Sequence, residues 1–292
     1  MSIQTGFEEI VRVDVPLNEY TWMHLGGPAQ YLATPKSIDQ LAELIKRCRE
    51  EDLPVRMLGG GSNILVRDEG VKGMVVMLSD AAFEEIKIDG NRVIAGGGAK
   101  LGHVVSSAVR EGLAGLETLV GIPGTIGGAL HCNAGGRGGD VGQWTTSAKV
   151  MTFNGEVLER TRDEMSFGYR ESSLDELVIL EGTFELEKED PDVLTKRMQK
   201  QWIVKKAGQP LAHQSAGCVF KNPRGMSAGM LIDQSGLKGK QIGGCVVSDR
   251  HANFIVADEG ASSADALALI EEVRNQVAQR LGVELETEIE IW

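Results

Sequence analysis

The sequence predicts an α+β protein in which antiparallel hairpins are mixed with amphipathic helices. Asp89-Gly90 and Asn154-Gly155 each separate two short runs rich in apolar residues, which is typical of type I′ hairpin turns. Other stretches space their apolar residues three and four apart, as helices do. Because helices and strands do not alternate strictly along the chain, the pattern favours α+β over a βαβ architecture.

The N-terminal half begins with a capped helix. Ser37 and Gln40 have the spacing of a capping box, with Ser at N-cap and Gln at N3. The predicted buried face of this helix is Leu41, Leu44, Ile45 and Cys48. Residues 54–58 and 64–66 predict strands on either side of a glycine-rich loop. Residues 101–111 predict a helix closed by Gly112.

The C-terminal half contains two further helices and an alternating strand. Pro191 suits the first position of a helix that runs to about Lys206 and is rich in basic residues. A second helix, 265–281, ends before Gly282, and its expected inward residues are Leu267, Ile270, Val273, Val277 and Leu281. The last strand alternates in sequence, with Glu284, Glu286, Glu288 and Glu290 on its polar face.

Composition excludes several classes of function. The 292 residues carry a net charge of −12, and no run of basic residues is long enough to follow a nucleic acid backbone. The first ten residues lack the features of a signal peptide, and the longest apolar run, 74–78, is too short to span a membrane. The four cysteines have no metal-ligand spacing, so we expect free thiols in the cytoplasm and no metal site.

Two glycine-rich loops are the most informative feature of the chain. They contain Gly59, Gly60, Gly61, Ser62 and Asn63, and then Gly121, Ile122, Pro123, Gly124, Thr125, Ile126, Gly127 and Gly128. Glycine lets backbone N–H groups approach a ligand closely, and successive N–H groups can bind an anion. The pair therefore indicates a ligand with two linked phosphates, although tight turns of a β-rich domain would also use such sequences.

Neither standard nucleotide motif fits these loops. Gly61-Ser62-Asn63 lacks the lysine of a P-loop. The second loop has Pro123 before its glycines and no acidic residue at the distance that a Rossmann fingerprint needs.

An ordered series of motifs resembles the bacterial UDP-N-acetylenolpyruvoylglucosamine reductases, in the shorter branch of that family. The matching stretches are residues 18–29 (NEYTWMHLGGPA), 58–66 (LGGGSNILV), 121–128 (GIPGTIGG) with 133–135 (NAG), 169–172 (YRES), 216–223 (AGCVFKNP), 231–233 (LID), 236–239 (GLKG) and 251–254 (HANF). Each motif is weak alone, but together they run in family order from about residue 15 to the C-terminus.

The resemblance implies a flavoenzyme with the two-lobed FAD-binding fold of vanillyl-alcohol-oxidase-like proteins. Its expected domains are a two-lobed FAD-binding region at 1–190, with lobes of about 1–80 and 81–190, a helical connector at 191–206, and a C-terminal substrate domain at 207–292. The implied reaction uses NADPH and non-covalent FAD to reduce the enolpyruvyl double bond of UDP-N-acetylglucosamine enolpyruvate, which yields UDP-N-acetylmuramate for peptidoglycan.

The resemblance also implies roles for individual residues. Those expected at the cofactor are Gly59, Gly60, Gly61, Ser62, Asn63, Gly121, Ile122, Pro123, Gly124, Thr125, Gly127, Gly128, Asn133, Ala134 and Gly135. Those expected at the substrate are Tyr169, Lys221 and Asn222. Independently of the resemblance, an acidic protein needs local positive charge to bind an anionic sugar nucleotide, so Arg224 and Lys238 are further candidates for the diphosphate and sugar.

Three residues are expected to carry the chemistry. Hydride addition to an enol ether builds negative charge beside a carboxylate, and Arg170 can pair with that carboxylate in a bidentate manner. Glu288 matches the glutamate that the family uses to assist the intermediate, although from the sequence alone it is one of four on a solvated face. Cys218 stands where the family usually has the serine that donates a proton. A thiol, with a reference pKa of about 8.5, can donate that proton. The alternative interpretation is that Cys218 is a small buried core residue, as most free cysteines are.

The sequence leaves two alternative functions open. One is an FAD-dependent oxidase of the same fold, although the first loop lacks the histidine to which many such oxidases attach their flavin. The other is a non-catalytic protein that binds a flavin or a sugar nucleotide. The sequence does not determine the oligomeric state, and a monomer is only slightly favoured.

Overall fold

The computed structural model describes residues 3–136 and 138–292. The chain divides into two compact units. The first contains the residues up to Val13, then Gln30–Gly60 and Lys72–Val204. The second contains Asp14–Ala29, Gly61–Val71 and Lys205–Trp292, so each unit is assembled from three separate stretches.

Helices and strands are mixed along the chain, which confirms the predicted α+β class. The helices are α1 (Ile38–Glu50), α2 (Ala81–Glu84), α3 (Leu101–Arg110), α4 (Ile126–His131), α5 (Pro191–Gly208), α6 (Ala228–Gln234) and α7 (Ser263–Leu281). The strands are β1 (Val11–Pro16), β2 (Pro28–Ala33), β3 (Val55–Met57), β4 (Ile64–Leu65), β5 (Val71–Val76), β6 (Ile86–Asp89), β7 (Arg92–Gly96), β8 (Leu113–Ala114), β9 (Gly135–Gly136), β10 (Gly139–Asp140), β11 (Thr145–Met151), β12 (Val157–Thr161), β13 (Phe167–Gly168), β14 (Glu171–Ser172), β15 (Val178–Glu185), β16 (Glu187–Lys188), β17 (Gln241–Ile242), β18 (Cys245–Val247), β19 (Ile255–Ala257) and β20 (Glu290–Ile291).

The first unit contains a five-stranded antiparallel sheet in the order β12-β11-β15-β7-β6. A four-stranded sheet has the order β1-β2-β5-β3, in which β3 and β5 are parallel. Buried residues of α3, α4, β7 and β15 pack into one apolar core, while α1 and β5 contribute to another.

Both predicted hairpins are confirmed, but their turn types are wrong. Asp89 pairs with Arg92, so the central residues are Gly90 and Asn91. Only Gly90 has a positive φ, of +64°, whereas a type I′ turn needs positive φ at both positions.

The second hairpin closes with a longer loop. The Thr152 N–H donates to the Glu156 carbonyl at 2.9 Å, which leaves three residues in the turn, and Gly155 has φ +75°. The Thr152 hydroxyl also accepts hydrogen bonds from the N–H groups of Asn154 and Glu156. These side-chain bonds favour the three-residue loop over a two-residue turn.

Helix α1 forms as predicted, with all four expected residues buried. The Ser37 hydroxyl accepts from the Gln40 N–H, whereas the Gln40 side chain accepts from the Lys36 N–H at 2.8 Å. In a complete capping box the Gln40 side chain would accept from the N–H of the N-cap residue, Ser37. Here it accepts from the N–H of the preceding residue, Lys36, so only half of the predicted capping box forms.

The C-terminal strand differs most from its prediction. Only β20 is a strand, parallel to β4, and Thr287 forms an isolated antiparallel bridge with Phe220. Of the predicted inward residues of α7, Ile270, Val273 and Val277 are buried and Leu267 is partly buried. Leu281 is the exception, at 39% exposed, and Ala266 and Leu269 are buried although the sequence did not predict them. Gly282 ends this helix in the left-handed conformation, as expected.

Candidate functional site

The two glycine loops approach each other within the first unit. A Cβ on Gly60 would stand 2.8 Å from the Gly124 Cα, and one on Gly59 would stand 2.8 Å from the Thr125 hydroxyl oxygen. The Gly60 contact is with backbone that cannot move aside alone, so this position needs glycine, whereas the atom that faces Gly59 belongs to the side chain of Thr125. The structure therefore brings the start of the first loop next to the middle of the second, and the sequence predicts that these two loops share one ligand.

Part of the second loop is used by the protein itself. The N–H groups of Ile126 and Gly127 donate to the carbonyls of Ala99 and Gly97 at 2.9 and 2.8 Å. The Gly128 N–H donates to the hydroxyl of Thr125, which caps α4. These three N–H groups hold the loop in place and are not available to a ligand.

The end of the first loop belongs to the second unit. Gly61 has φ +64°, and a Cβ there would lie 1.9 Å from the Tyr20 carbonyl oxygen. The side-chain amide of Asn63 donates to the Glu288 carbonyl at 3.1 Å, and its backbone carbonyl accepts from the Glu290 N–H at 2.9 Å. Asn63 thus fixes the stretch of backbone that carries Glu288.

Asn133 and Arg170 are linked through short backbone contacts. Buried Asn133 donates from Nδ2 to the Gly168 carbonyl at 2.7 Å, and its Oδ1 accepts from the Gly142 N–H at 3.0 Å. Arg170 donates from Nη1 to the Gly135 carbonyl at 2.9 Å. Four predicted residues therefore meet here, since the Arg170 guanidinium carbon also lies 5.4 Å from the centroid of the Tyr169 ring.

Arg170 occupies an unfavourable backbone conformation. It is the second residue of a two-residue turn between β13 and β14, with φ +61°. Glycine or asparagine is the usual residue at positive φ, and an arginine there costs free energy that the fold must offset. Such strain concentrates at functional positions, so it is a structural reason, independent of the motif, to assign Arg170 a function.

In the second unit, the segment around Cys218 lies between two other stretches of chain. Cys218 forms an isolated antiparallel bridge with Phe254, and the Val219 N–H donates to the Asn253 carbonyl at 2.8 Å. On the other side, the Glu288 N–H donates to the Val219 carbonyl at 2.7 Å. The backbone of Glu288 is therefore paired with the residue next to Cys218.

Asn253 is a structural residue of this site to which the sequence assigned no role. It is 3% exposed, and its amide accepts from the Phe220 N–H at 2.9 Å and donates to the Phe220 carbonyl at 2.8 Å. It lies in the stretch HANF, which signalled only family membership. An amide that serves one distant backbone position has no local sequence signal.

Glu288 differs from the other three glutamates of its stretch. Glu284, Glu286 and Glu290 are exposed, whereas Glu288 is half-buried. The solvated polar face expected from the alternation therefore does not include Glu288.

The two predicted substrate residues of this region have partners within the protein. The Lys221 ammonium lies 2.6 Å from the Glu286 carboxylate. The Asn222 side-chain oxygen accepts from the Ala228 N–H at 2.9 Å, at the start of α6. Both side chains are thus held at defined places beside the Cys218 segment.

The cysteines fall into two groups. Burial raises the pKa of Cys48 to about 11 and that of Cys245 to about 12, so both remain protonated and unreactive at neutral pH. Cys132 and Cys218 are only partly buried, and all four are free thiols. Within 3–136 and 138–292, no group of three metal-binding side chains is close enough to hold an ion.

None of the helices described is both long and apolar enough to cross a membrane.

Two regions of the chain match models of known protein families. Residues 209–292 match the family model for the C-terminal domain of UDP-N-acetylenolpyruvoylglucosamine reductase, and residues 29–161 match an FAD binding domain. The second match, with the solved structure below, confirms the predicted flavin-binding fold.

Relatives that match over nearly the full length of the chain are also UDP-N-acetylenolpyruvoylglucosamine reductases. A UDP-N-acetylenolpyruvoylglucosamine reductase of Listeria innocua is 40% identical, over 99% of this chain and 98% of its own. One of Rhodopirellula baltica is 41% identical, over 97% and 93%. The crystal structure of the corresponding reductase from Thermus caldophilus has a TM-score of 0.85 at 38% identity, over 97% of this chain and 99% of its own. The chain belongs to the UDP-N-acetylenolpyruvoylglucosamine reductase family.

Proposed function

We propose that this chain is an FAD-containing reductase that uses NADPH to convert UDP-N-acetylglucosamine enolpyruvate to UDP-N-acetylmuramate. The close approach of Gly60 to Gly124 carries the cofactor assignment. It leaves two stretches of backbone without side chains at one place, which suits a dinucleotide pyrophosphate. The FAD binding domain match over 29–161 covers both loops.

The bound flavin would supply the hydride, taken from NADPH, that adds to the methylene carbon of the enolpyruvyl group. The chain's own residues then stabilise charge and supply a proton. Arg170 pairs with the substrate carboxylate, next to the carbon where negative charge develops. Its contact with the Gly135 carbonyl orients the guanidinium.

The Cys218 thiol donates the proton to that carbon, which completes the reduction of the double bond. Glu288, half-buried and paired through its backbone to Val219, assists from the neighbouring stretch. Lys221 and Asn222 contact the sugar nucleotide, and Tyr169 lies beside Arg170 at the substrate carboxylate.

The domain boundaries follow the same proposal. Residues 1–190 bind FAD in two lobes of about 1–80 and 81–190, residues 191–206 within α5 connect these lobes to the rest, and residues 207–292 bind the substrate. We place the enzyme in the cytoplasm, where the reducing environment keeps its four thiols free.

Anaerobic mixing with NADPH tests the function. The bound flavin should bleach, and the enolpyruvyl substrate should restore its colour faster than oxygen does. Rapid return of colour with oxygen but not with substrate would indicate an oxidase. A flavin that NADPH does not bleach would indicate a binding protein without this activity.

A further inference from the structure

A buried carboxylate lies directly before the second glycine loop. Glu117 belongs to the 3₁₀ turn Leu116–Leu119, and its side chain is only 2% exposed. Its Oε2 accepts from the Gly115 N–H at 2.5 Å, and its Oε1 accepts from Arg197 Nη1 at 2.7 Å. A charge buried this deeply costs free energy unless both oxygens are paired, as they are here.

Arg197 joins this turn to helix α5. Its guanidinium bridges two carboxylates, since Nη2 also lies 3.3 Å from Glu189 Oε2. Leu194 is the only fully buried side chain of α5 among the residues described. Arg197, whose side chain is 42% exposed, thus makes a polar connection between this helix and the turn.

The turn continues without a break into the glycine loop. The Val120 N–H donates to the Glu117 carbonyl, and the Ile122 N–H donates to the Leu119 carbonyl. Gly115 has φ +134°, and a Cβ there would stand 2.6 Å from the indole nitrogen of Trp144. The turn is thus fixed at its start by Gly115 and at its side by Arg197, and its position sets where Gly121–Gly124 can lie.

We propose that Arg197 and Glu117 are positioning residues that hold the second glycine loop in the shape that binds FAD. This inference rests on the proposed function, because it assigns the loop to the flavin. It adds a pair of residues outside the glycine motifs that sets cofactor affinity through the position of the loop.

The test compares FAD affinity and stability across matched variants. Arg197→Met removes the partner of Glu117, Glu117→Gln removes the charge but keeps an acceptor for the Gly115 N–H, and Arg197→Lys restores a cation. Arg160→Met is the control, because Arg160 pairs with Glu176, whose side chain is also largely buried, in the same unit. Apoprotein of each variant is titrated with FAD by flavin fluorescence, and its thermal unfolding is measured without FAD.

We expect Arg197→Met and Glu117→Gln to raise the Kd for FAD about tenfold or more, as loss of a group that orients a binding residue does. Arg197→Lys should recover most of the affinity. Arg160→Met should lower the unfolding temperature comparably but leave the Kd within about twofold of wild type, since a stability effect alone does not reshape the loop.

Equal Kd values in Arg197→Met, Arg160→Met and wild type would overturn the inference. If Arg197→Met does not fold, the same criterion applies to Glu117→Gln. Failure of the wild-type chain itself to bind FAD would instead reject the proposed function, so the two outcomes are distinct.

Discussion

Gly60 and Gly124 lie so close that a Cβ on the first would stand 2.8 Å from the Cα of the second. They are 64 residues apart in the chain, and each belongs to a different glycine loop. The contact is between backbones, so no side chain can move away to make room. The geometry of each loop therefore depends on the other.

Gly60→Ala should separate the two loops and weaken FAD binding about 10- to 100-fold, because each lost hydrogen bond to a charged phosphate costs about 1.5–3 kcal/mol. Flavin fluorescence titration of the apoprotein measures the Kd. Gly102→Ala is the matched control, since its Cβ would meet nothing within 4 Å and alanine favours its helix, α3. Equal Kd values for FAD in Gly60→Ala and Gly102→Ala would show that the contact between the two loops does not affect cofactor binding.

Cys218→Ser should remain active, whereas Cys218→Ala should lose about 10²–10⁴-fold in turnover, because serine can donate the proton and alanine cannot. The measurement is the rate at which substrate reoxidises the reduced enzyme after rapid mixing. Cys245→Ala controls for loss of a thiol, since Cys245 is fully buried elsewhere in the same unit. An undiminished rate in Cys218→Ala would exclude the thiol as the acid.

Glu288→Gln should lower turnover on the order of 100-fold, while Glu284→Gln should leave it unchanged. The two residues are four positions apart on the same stretch, but only Glu288 is half-buried. Steady-state kinetics with saturating NADPH compare them. Similar losses in both variants would mean that the negative charge of the whole stretch, and not Glu288, supports turnover.

The sequence predicted the elements whose signals are local. Gly282 ended α7 and Pro191 began α5, because a cap or a first-turn proline acts within a few residues. The prediction of the last strand was wrong because a strand depends on contacts that are distant in the sequence. Its alternation was real, but strand formation needs a partner, and only Glu290 and Ile291 pair along β4.

The candidate site likewise combines residues that local motifs predict with contacts between distant residues that they do not predict. Motif order indicated Arg170, Cys218 and Glu288, but the links among neighbouring residues come from tertiary contacts. The Asn253 side chain forms hydrogen bonds with the backbone of Phe220, 33 residues away, and Glu117 accepts a hydrogen bond from Arg197, 80 residues away. One sequence contains no signal for a bond between such distant positions.

Arg170→Gly should be more stable than Arg170→Ala by about 1 kcal/mol, because glycine adopts φ +61° without the steric cost that alanine pays. Both variants lose the guanidinium, so both should lose turnover on the order of 100-fold or more. Urea unfolding of the two apoproteins measures the difference. Equal stabilities would show that the turn relaxes to negative φ and that Arg170 is not strained.

Protonation of His251 should reduce stability in mildly acidic solution. Burial lowers the pKa of His251 below its usual 6.5, and the positive charge of Lys238 lowers it further. The imidazole packs edge-on against Phe254, with ring centroids 4.8 Å apart, and its buried Nδ1 has no hydrogen-bond partner among the residues described. The folded protein therefore holds the neutral ring.

Because the unfolded chain takes up this proton at a higher pH than the folded chain, the free energy of unfolding should fall as the pH drops below about 6.5. His251→Gln should remove this part of the fall, and Lys238→Gln should reduce it. Urea unfolding at several pH values between about 7.5 and 5 gives the slopes, with His251→Gln compared directly with wild type. Parallel profiles for wild type and His251→Gln would mean that the ring is already protonated in the folded state or titrates equally in both states, and the burial of a neutral imidazole would be rejected.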